Sequence, residues 1–173
     1  MILRDRRTEL GPMPARRRMT TIDEQLVRAP LERIFSIAAN VVDWPAYLPH
    51  YRHVTMIECD PFGGGLVEMA ANRPFGAVSW PTWWMSEMEV RSPSDSSGPA
   101  IRFRHVRGIT TGMDVEWSFH AAPGGTHVRI LHEWNGTRWP VIGGLVATLA
   151  IGPVFIHGIA SRTLAGLAQA AER

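Results

Sequence analysis

Three side chains in this sequence could exchange protons with a substrate: Tyr51, His105 and His132. A histidine titrates near neutral pH and can act as a general base, and a tyrosine hydroxyl can act as a general acid. Two histidines facing one pocket with a tyrosine would suffice for an aldol condensation or a dehydration. The competing interpretation, which the sequence favours, is that each histidine is a core or rim residue hydrogen-bonded to a neighbour's carbonyl.

Other reaction classes find little support in the sequence. All 18 basic residues are arginines, so no lysine can form a Schiff base. Cys59 is the only cysteine, and neither an HExxH motif nor a paired-cysteine spacing is present, so we expect no metal ion and no other cofactor. Ser86 lacks the Gly-x-Ser-x-Gly context of a nucleophile, and we expect its hydroxyl to be hydrogen-bonded within a sheet.

The positive charge of the chain is concentrated in residues 1–18, which carry six arginines and two acidic residues. The remaining sequence has no basic stripe interleaved with aromatic residues, which argues against nucleic-acid binding. The basic segment contains glycine and proline and no sustained apolar stretch, so we predict a disordered tail at 1–18, followed by one domain over 19–173. Without a secretory signal or a disulfide, a cytoplasmic location is expected.

The spacing of apolar and turn residues predicts a strand, two helices, about six strands and a long terminal helix. The first strand is expected over 20–28, a helix over 30–40, and a shorter helix near 44–48. Alternating segments then run to residue 135, and the rest of the chain has a helical pattern. A curved antiparallel sheet cannot bury its concave face alone, so the terminal helix must cover it and leave a cavity suited to apolar ligands.

Four short motifs and one tyrosine follow each other in a characteristic order: APLERIF at 29–35, DWP at 43–45, Tyr51, EWSF at 116–119 and PGGT at 123–126. In this order they resemble the START-like, or SRPBCC, superfamily, and within it the polyketide cyclase/dehydrase group, which includes aromatase/cyclases. The resemblance implies an α+β helix-grip fold. In that fold a curved antiparallel sheet of six or seven strands wraps on a long C-terminal helix, with two short helices after the first strand.

The resemblance also implies a hydrophobic ligand, because members of the superfamily bind lipids, sterols, quinones or polyketides, and others catalyse reactions. Aromatase/cyclases of this group are thought to hold a poly-β-ketone chain with a cavity arginine, a tyrosine and tryptophans. The matching positions here are Tyr51, Trp84, Ser86, Met113 and Trp117. The arginine's place falls on Met88, which removes the cation that would stabilise a developing enolate.

Alternation along the predicted strands separates side chains that face the cavity from those that face outward. His105 and His132 fall on inward faces, whereas Arg102 and Arg104 fall outside. The predicted ligand-binding residues, which include two on the terminal helix, are Trp84, Ser86, Met88, Phe103, Met113, Trp117, Ile130, Trp134, Leu149 and Phe155.

Apart from His157, no acidic or basic residue stands between Arg138 and Arg162. This run meets the length of a membrane span, but its glycines and Pro153 argue against one. A helix that is apolar nearly all round is buried on more than one side. We therefore expect its extra face to contact either the partner subunit of a homodimer or, peripherally, a membrane surface.

These observations predict a helix-grip protein that binds a hydrophobic polyketide-, quinone- or lipid-like small molecule between its sheet and its terminal helix. The alternative is a polyketide aromatase/cyclase or dehydratase that uses Tyr51 with His105 or His132. The two differ in what they require: catalysis needs the tyrosine and a histidine beside one substrate oxygen, whereas binding needs only volume and an apolar lining.

Overall fold

The computed structural model describes residues 1–15, 17–75, 78–136 and 152–173. The order of its helices and strands confirms the predicted α+β helix-grip architecture. Along the chain these elements are β1 (Ile2–Leu3), β2 (Met19–Val27), α1 (Leu31–Ala39), a 3-10 turn (Val41–Asp43), α2 (Trp44–Tyr47), β3 (Tyr51–Cys59), β4 (Gly65–Phe75), β5 (Val78–Arg91), β6 (Ala100–Gly108), β7 (Asp114–Ala122), β8 (Gly125–Trp134) and α3 (Gly152–Glu172). The part of the predicted terminal helix before Gly152 lies outside the described residues.

The strands form one sheet of eight, in the order β1-β3-β4-β5-β6-β7-β8-β2. Neighbouring strands are antiparallel except β1, which pairs in parallel with β3. The sequence predicted six or seven strands, and the additional one is β1. It was missed because two residues are too few to show an alternating pattern.

Helix α3 covers the concave face of the sheet. Its buried side chains recur every three or four residues, as expected for one helical face against a core, and include Ile156, Ala160, Leu164, Leu167, Ala168 and Ala171. At Gly166 the helix lies so close to the segment after α2 that a Cβ atom would come within 2.4 Å of Leu48 Cδ2. The small residue therefore sets how closely α3 approaches this segment.

Helix α1 packs against the concave face near the end of β7. Pro30 immediately precedes it, where a proline is compatible with the first helical turn. Its buried residues are Ile34, Phe35 and Ala38, and the ring of Phe35 meets that of Phe119 edge-on at 5.3 Å. This contact ties α1 to β7.

The N-terminal segment, predicted to be a disordered tail, instead lies along the convex face of the sheet between β1 and β2. The backbone N–H of Thr8 donates to Asp60 Oδ2 at 2.8 Å, and the N–H of Leu10 donates to Glu89 Oε2 at 2.9 Å. The prediction failed because it considered only the lack of apolar residues. The segment is held by polar contacts, whose acceptors are carboxylates elsewhere in the sequence.

The tail explains why an outward-facing arginine is buried. Alternation correctly placed Arg102 on the outer face, but only 3% of its surface is exposed because the tail crosses over it. Its guanidinium donates to the Gly11 carbonyl and lies 3.7 Å from Glu89 and 3.4 Å from Glu116. Burial lowers the pKa of Arg102, and the charges of Glu116 and Glu89 oppose that shift.

No helix among the described ranges is long and apolar enough to cross a membrane.

Candidate functional site

A cavity of about 60 Å³ lies between the concave face of the sheet and α3. The sheet contributes most of its lining. Ile156, Ile159, Ala160 and Thr163 of α3 close it from the other side. The cavity therefore sits where the sequence placed it, between sheet and terminal helix.

The structure brings most of the predicted site residues to this cavity. Those that line it are Tyr51, Trp84, Phe103, His105, Met113, Trp117, Ile130 and His132. Ser86, Met88 and Trp134 face the interior and are buried, but they do not line the cavity. Leu149 and the side chain of Phe155 lie outside the described residues.

The three buried residues miss the cavity because the concave face is longer than the cavity. Met88 is packed in the core, and Trp134 turns its indole N–H to the Thr111 carbonyl at 3.2 Å. Ser86 differs from its prediction in a second way: its hydroxyl oxygen is buried without a hydrogen-bond partner in the described part of the chain. Facing inward was thus necessary for lining the cavity but not sufficient.

Trp44 is the centre of the aromatic lining. Its ring centroid lies 5.3 Å from that of Tyr51, 5.8 Å from Trp117 and 6.2 Å from Phe103. Tyr51 in turn meets Trp84 at 6.2 Å. Edge-on and tilted arrangements of this kind are favourable for aromatic pairs and leave an apolar surface toward the cavity.

The indole nitrogen of Trp44 is buried and has no hydrogen-bond partner among the described residues. A buried N–H without an acceptor carries an unrecovered desolvation cost. Sequence reasoning used Trp44 only as part of the DWP motif and did not count it among the ligand-binding residues. The sequence could have indicated this role, because Trp44 is a large apolar residue in the first turn of α2, and that turn has to pack against the concave face.

Both predicted histidines are held by hydroxyl groups. His105 Nδ1 lies 2.6 Å from Thr110 Oγ1, and its ring stacks on Trp84 with centroids 5.9 Å apart. His132 Nδ1 lies 3.3 Å from Thr21 Oγ1. Each ring therefore contacts a neighbour's hydroxyl group, whereas the competing interpretation expected a neighbour's carbonyl.

A further histidine, His50, reaches the cavity wall and was missed from the sequence. Its Nε2 lies 3.1 Å from the hydroxyl of Thr163, which lines the cavity, and its ring centroid is 4.9 Å from that of Tyr51. Burial lowers the pKa of His50, and the charge of Arg162 lowers it further. The neutral form of this ring is therefore favoured.

A contact between a carboxylate and a histidine fixes α3 to β2 beside the cavity. Asp23 Oδ1 lies 2.5 Å from Nδ1 of His157 on α3, and its other carboxylate oxygen is buried without a hydrogen-bond partner in the described ranges. Burial raises the pKa of Asp23, although the contact with His157 acts in the opposite direction. This carboxyl is thus a costly group to bury, and its contact with α3 partly compensates that cost.

No group of three or more His, Cys, Asp or Glu side chains in the described residues is arranged to hold a metal ion.

Comparison with solved structures assigns this protein to the START-like helix-grip fold class. A protein from Thermus thermophilus, TTHA0849, superposes with a TM-score of 0.71 at 20% identity, covering 87% of this chain and 95% of that one. The Zhui aromatase/cyclase from Streptomyces sp. R1128 gives 0.70 at 17%, covering 90% and 94%. A START superfamily protein from Mycobacterium smegmatis gives 0.60 at 18%, covering 88% and 94%.

The family follows from the sequence profile that the chain matches. Residues 27–153 match the family described as polyketide cyclase/dehydrase and lipid transport. The chain belongs to this family, which confirms the resemblance found in its motifs. No curated protein matches it in sequence.

The lowered pKa of His50 predicts a pH dependence of stability. Below its ordinary value of 6.5 the unfolded chain takes up a proton that the folded chain resists. The free energy of unfolding should therefore fall as the pH is lowered from 6.5 toward the folded pKa. We expect His50→Gln to flatten this slope, measured by urea denaturation at several pH values. His120→Gln, which removes an exposed histidine remote from the cavity, is the control, and equal changes in both variants would contradict the assignment.

The cavity predicts different outcomes for two buried methionines. Met113→Ala and Met88→Ala should each destabilise the protein by about 2–5 kcal/mol. Met113 lines the existing cavity, so its removal enlarges that cavity, whereas Met88 does not line it. We therefore expect benzene to raise the thermal midpoint of Met113→Ala but not of Met88→Ala in calorimetry. An equal benzene response from both variants would show that the cavity is not where the structure places it.

Proposed function

We propose that this protein binds a hydrophobic small molecule of polyketide, quinone or lipid character in the cavity between the sheet and α3. The observation that carries the proposal is an aromatic-lined cavity bordered by a buried indole N–H without an acceptor in the described part of the protein. Membership of the polyketide cyclase/dehydrase and lipid transport family supports it, because those activities handle molecules of this kind.

The Trp44 nitrogen specifies the chemistry of the ligand further. Leaving a buried donor unpaired costs about 1–3 kcal/mol, and an acceptor atom on a ligand would recover part of that cost. A pure hydrocarbon has no such atom. The preferred ligand therefore carries a carbonyl or hydroxyl oxygen on a largely aromatic or unsaturated skeleton.

The cavity must widen to accept such a ligand. A cavity of about 150 Å³ is known to hold benzene, and the cavity here has about 60 Å³. Two lining residues, Met69 and Met113, are flexible side chains that can change rotamer at low cost. Binding is therefore expected to repack the methionines around the rigid aromatic cluster.

A pair of matched probes tests this function. We expect 2-naphthol to bind more tightly than naphthalene by about five- to tenfold, the worth of one hydrogen bond to the indole N–H. Titration monitored by intrinsic tryptophan fluorescence provides the two dissociation constants. In Trp44→Phe the ring remains but the donor is lost, so both probes should bind equally.

The control is Trp134→Phe, which removes a buried indole that does not line the cavity. It should preserve the preference for naphthol. Failure of the wild-type protein to bind either probe would contradict the proposed function, and an unchanged preference in Trp44→Phe would contradict the role of the indole N–H.

A second candidate function, polyketide aromatase/cyclase or dehydratase activity, is favoured by one observation. Tyr51, His105 and His132 all border the same cavity, which is the arrangement that general acid and base catalysis needs. Against it, Met88 occupies the place where the related cyclases are thought to have an arginine, and it is fully buried. The binding function is therefore preferred.

Turnover of an aromatic β-hydroxy ketone to its conjugated enone, followed by absorbance, distinguishes the two functions. If the protein is a dehydratase, Tyr51→Phe should lower kcat by about 100-fold or more, the usual worth of a general acid. His132→Gln should act in the same direction, and His120→Gln should not. A wild-type rate equal to the spontaneous reaction would eliminate the enzymatic alternative.

A further inference from the structure

One end of the sheet, which we call the cavity end, is where β2, β3, β5 and β7 begin and where β4, β6 and β8 finish. The pairing of Asp114 with Glu133, Trp84 with Gly108, and Tyr51 with Ala71 brings these strand ends together. Most of the polar groups that line the cavity belong to these strand ends.

The outer face of the cavity end carries an exposed apolar patch. Trp83 is 40% exposed, and Val106 and Ile109 are each 37% exposed. Trp84 pairs with Gly108, so its neighbour Trp83 lies beside the residues at the end of β6. At Gly108 a Cβ atom would come within 2.3 Å of the Trp83 carbonyl, so the strands approach closely here. These three side chains therefore form one surface.

The described chain segments that meet at the cavity end contain no acidic residue. They comprise residues 44–54, 69–75, 78–84, 105–113, 134–136 and 152–163. The acidic residue next to these segments, Glu68, lies opposite Thr55 and Met85 in the sheet and contacts His53 Nε2 at 3.2 Å. The two carboxylates of the adjoining strand ends, Asp114 and Glu133, are buried. The opposite end of the sheet differs, since its turns hold acidic residues such as Asp60 and Asp95.

The charges that remain at the cavity end are positive. Arg52 and Arg107 are exposed there and make no ion pair with the described residues, whereas Arg104 pairs with Asp114 at 2.9 Å. The β4–β5 hairpin also extends past its neighbour, because pairing of β5 with β6 begins only at Trp84.

We propose that the cavity end docks on the surface of a bilayer containing anionic phospholipids. Tryptophan and aliphatic side chains favour the headgroup boundary, and arginines are attracted to anionic lipids. The patch is next to the cavity wall, since Trp83 and Val106 directly neighbour the lining residues Trp84 and His105. This inference rests on the proposed function: it supplies the surface from which a hydrophobic ligand would be taken up or to which it would be delivered.

Sedimentation of the full chain with lipid vesicles tests the inference. One set of vesicles is phosphatidylcholine alone, and in the other about a third of the lipid is phosphatidylglycerol. We expect binding to the anionic vesicles. Arg107→Glu should weaken it by at least fivefold, because each basic residue near such a surface contributes about a fivefold factor. Trp83→Ala should weaken it by about fivefold through loss of apolar burial.

Matched controls at the opposite end of the molecule keep the test specific. Arg33→Glu reverses an exposed charge on α1, and Leu26→Ala removes a side chain that is 47% exposed on β2. Both should bind like the wild type. The inference is overturned if anionic vesicles do not bind the protein, or if the controls lose as much binding as the variants at the cavity end.

Naphthol titration without vesicles separates this inference from the proposed function. Naphthol binding with no vesicle binding would overturn the docking surface and leave the ligand site intact. Vesicle binding without naphthol binding would support the docking surface and overturn the proposed ligand.

Discussion

The apolar concave face of the sheet must be covered, and the rest of the structure depends on how α3 covers it. Gly166 sets the distance of the helix at Leu48, and the contact between Asp23 and His157 fixes it to β2. Between these two points the rings around Trp44 keep the helix from closing completely on the sheet. The cavity is thus a consequence of packing large rigid side chains under a helix held at both ends.

The convex face is covered in a different way. There the N-terminal tail lies over a network of opposite charges in which Arg102 contacts Glu89 and Glu116. Around this network the strands carry apolar side chains on the concave face and charged ones on the convex face. At the cavity end the carboxylates of the strand ends, Asp114 and Glu133, are buried while Arg52 and Arg107 are exposed, which is the basis for proposing a lipid surface there.

Local sequence patterns predicted the fold and much of the cavity lining, because period-two alternation determines which face of a strand a side chain occupies. Trp117 and Ile130 were placed correctly for this reason. Alternation does not indicate how far along a strand the cavity extends, so Met88 and Trp134 were assigned to a cavity that they do not line. The tail and His50 were missed because their partners, such as Asp60 and Thr163, are distant in sequence and become neighbours only in the folded chain.

We prefer the proposed binding function to catalysis because the cavity lining offers a buried hydrogen-bond donor and an aromatic surface, while Met88 stands where related cyclases are thought to have an arginine. The most direct test is native mass spectrometry of the protein isolated from its own host, followed by organic extraction and identification of the bound molecule. The account predicts a one-to-one complex with a hydrophobic molecule that carries a carbonyl or hydroxyl oxygen. A protein that emerges with the mass of the bare chain, and that takes up no oxygenated aromatic compound from a host extract, would contradict it.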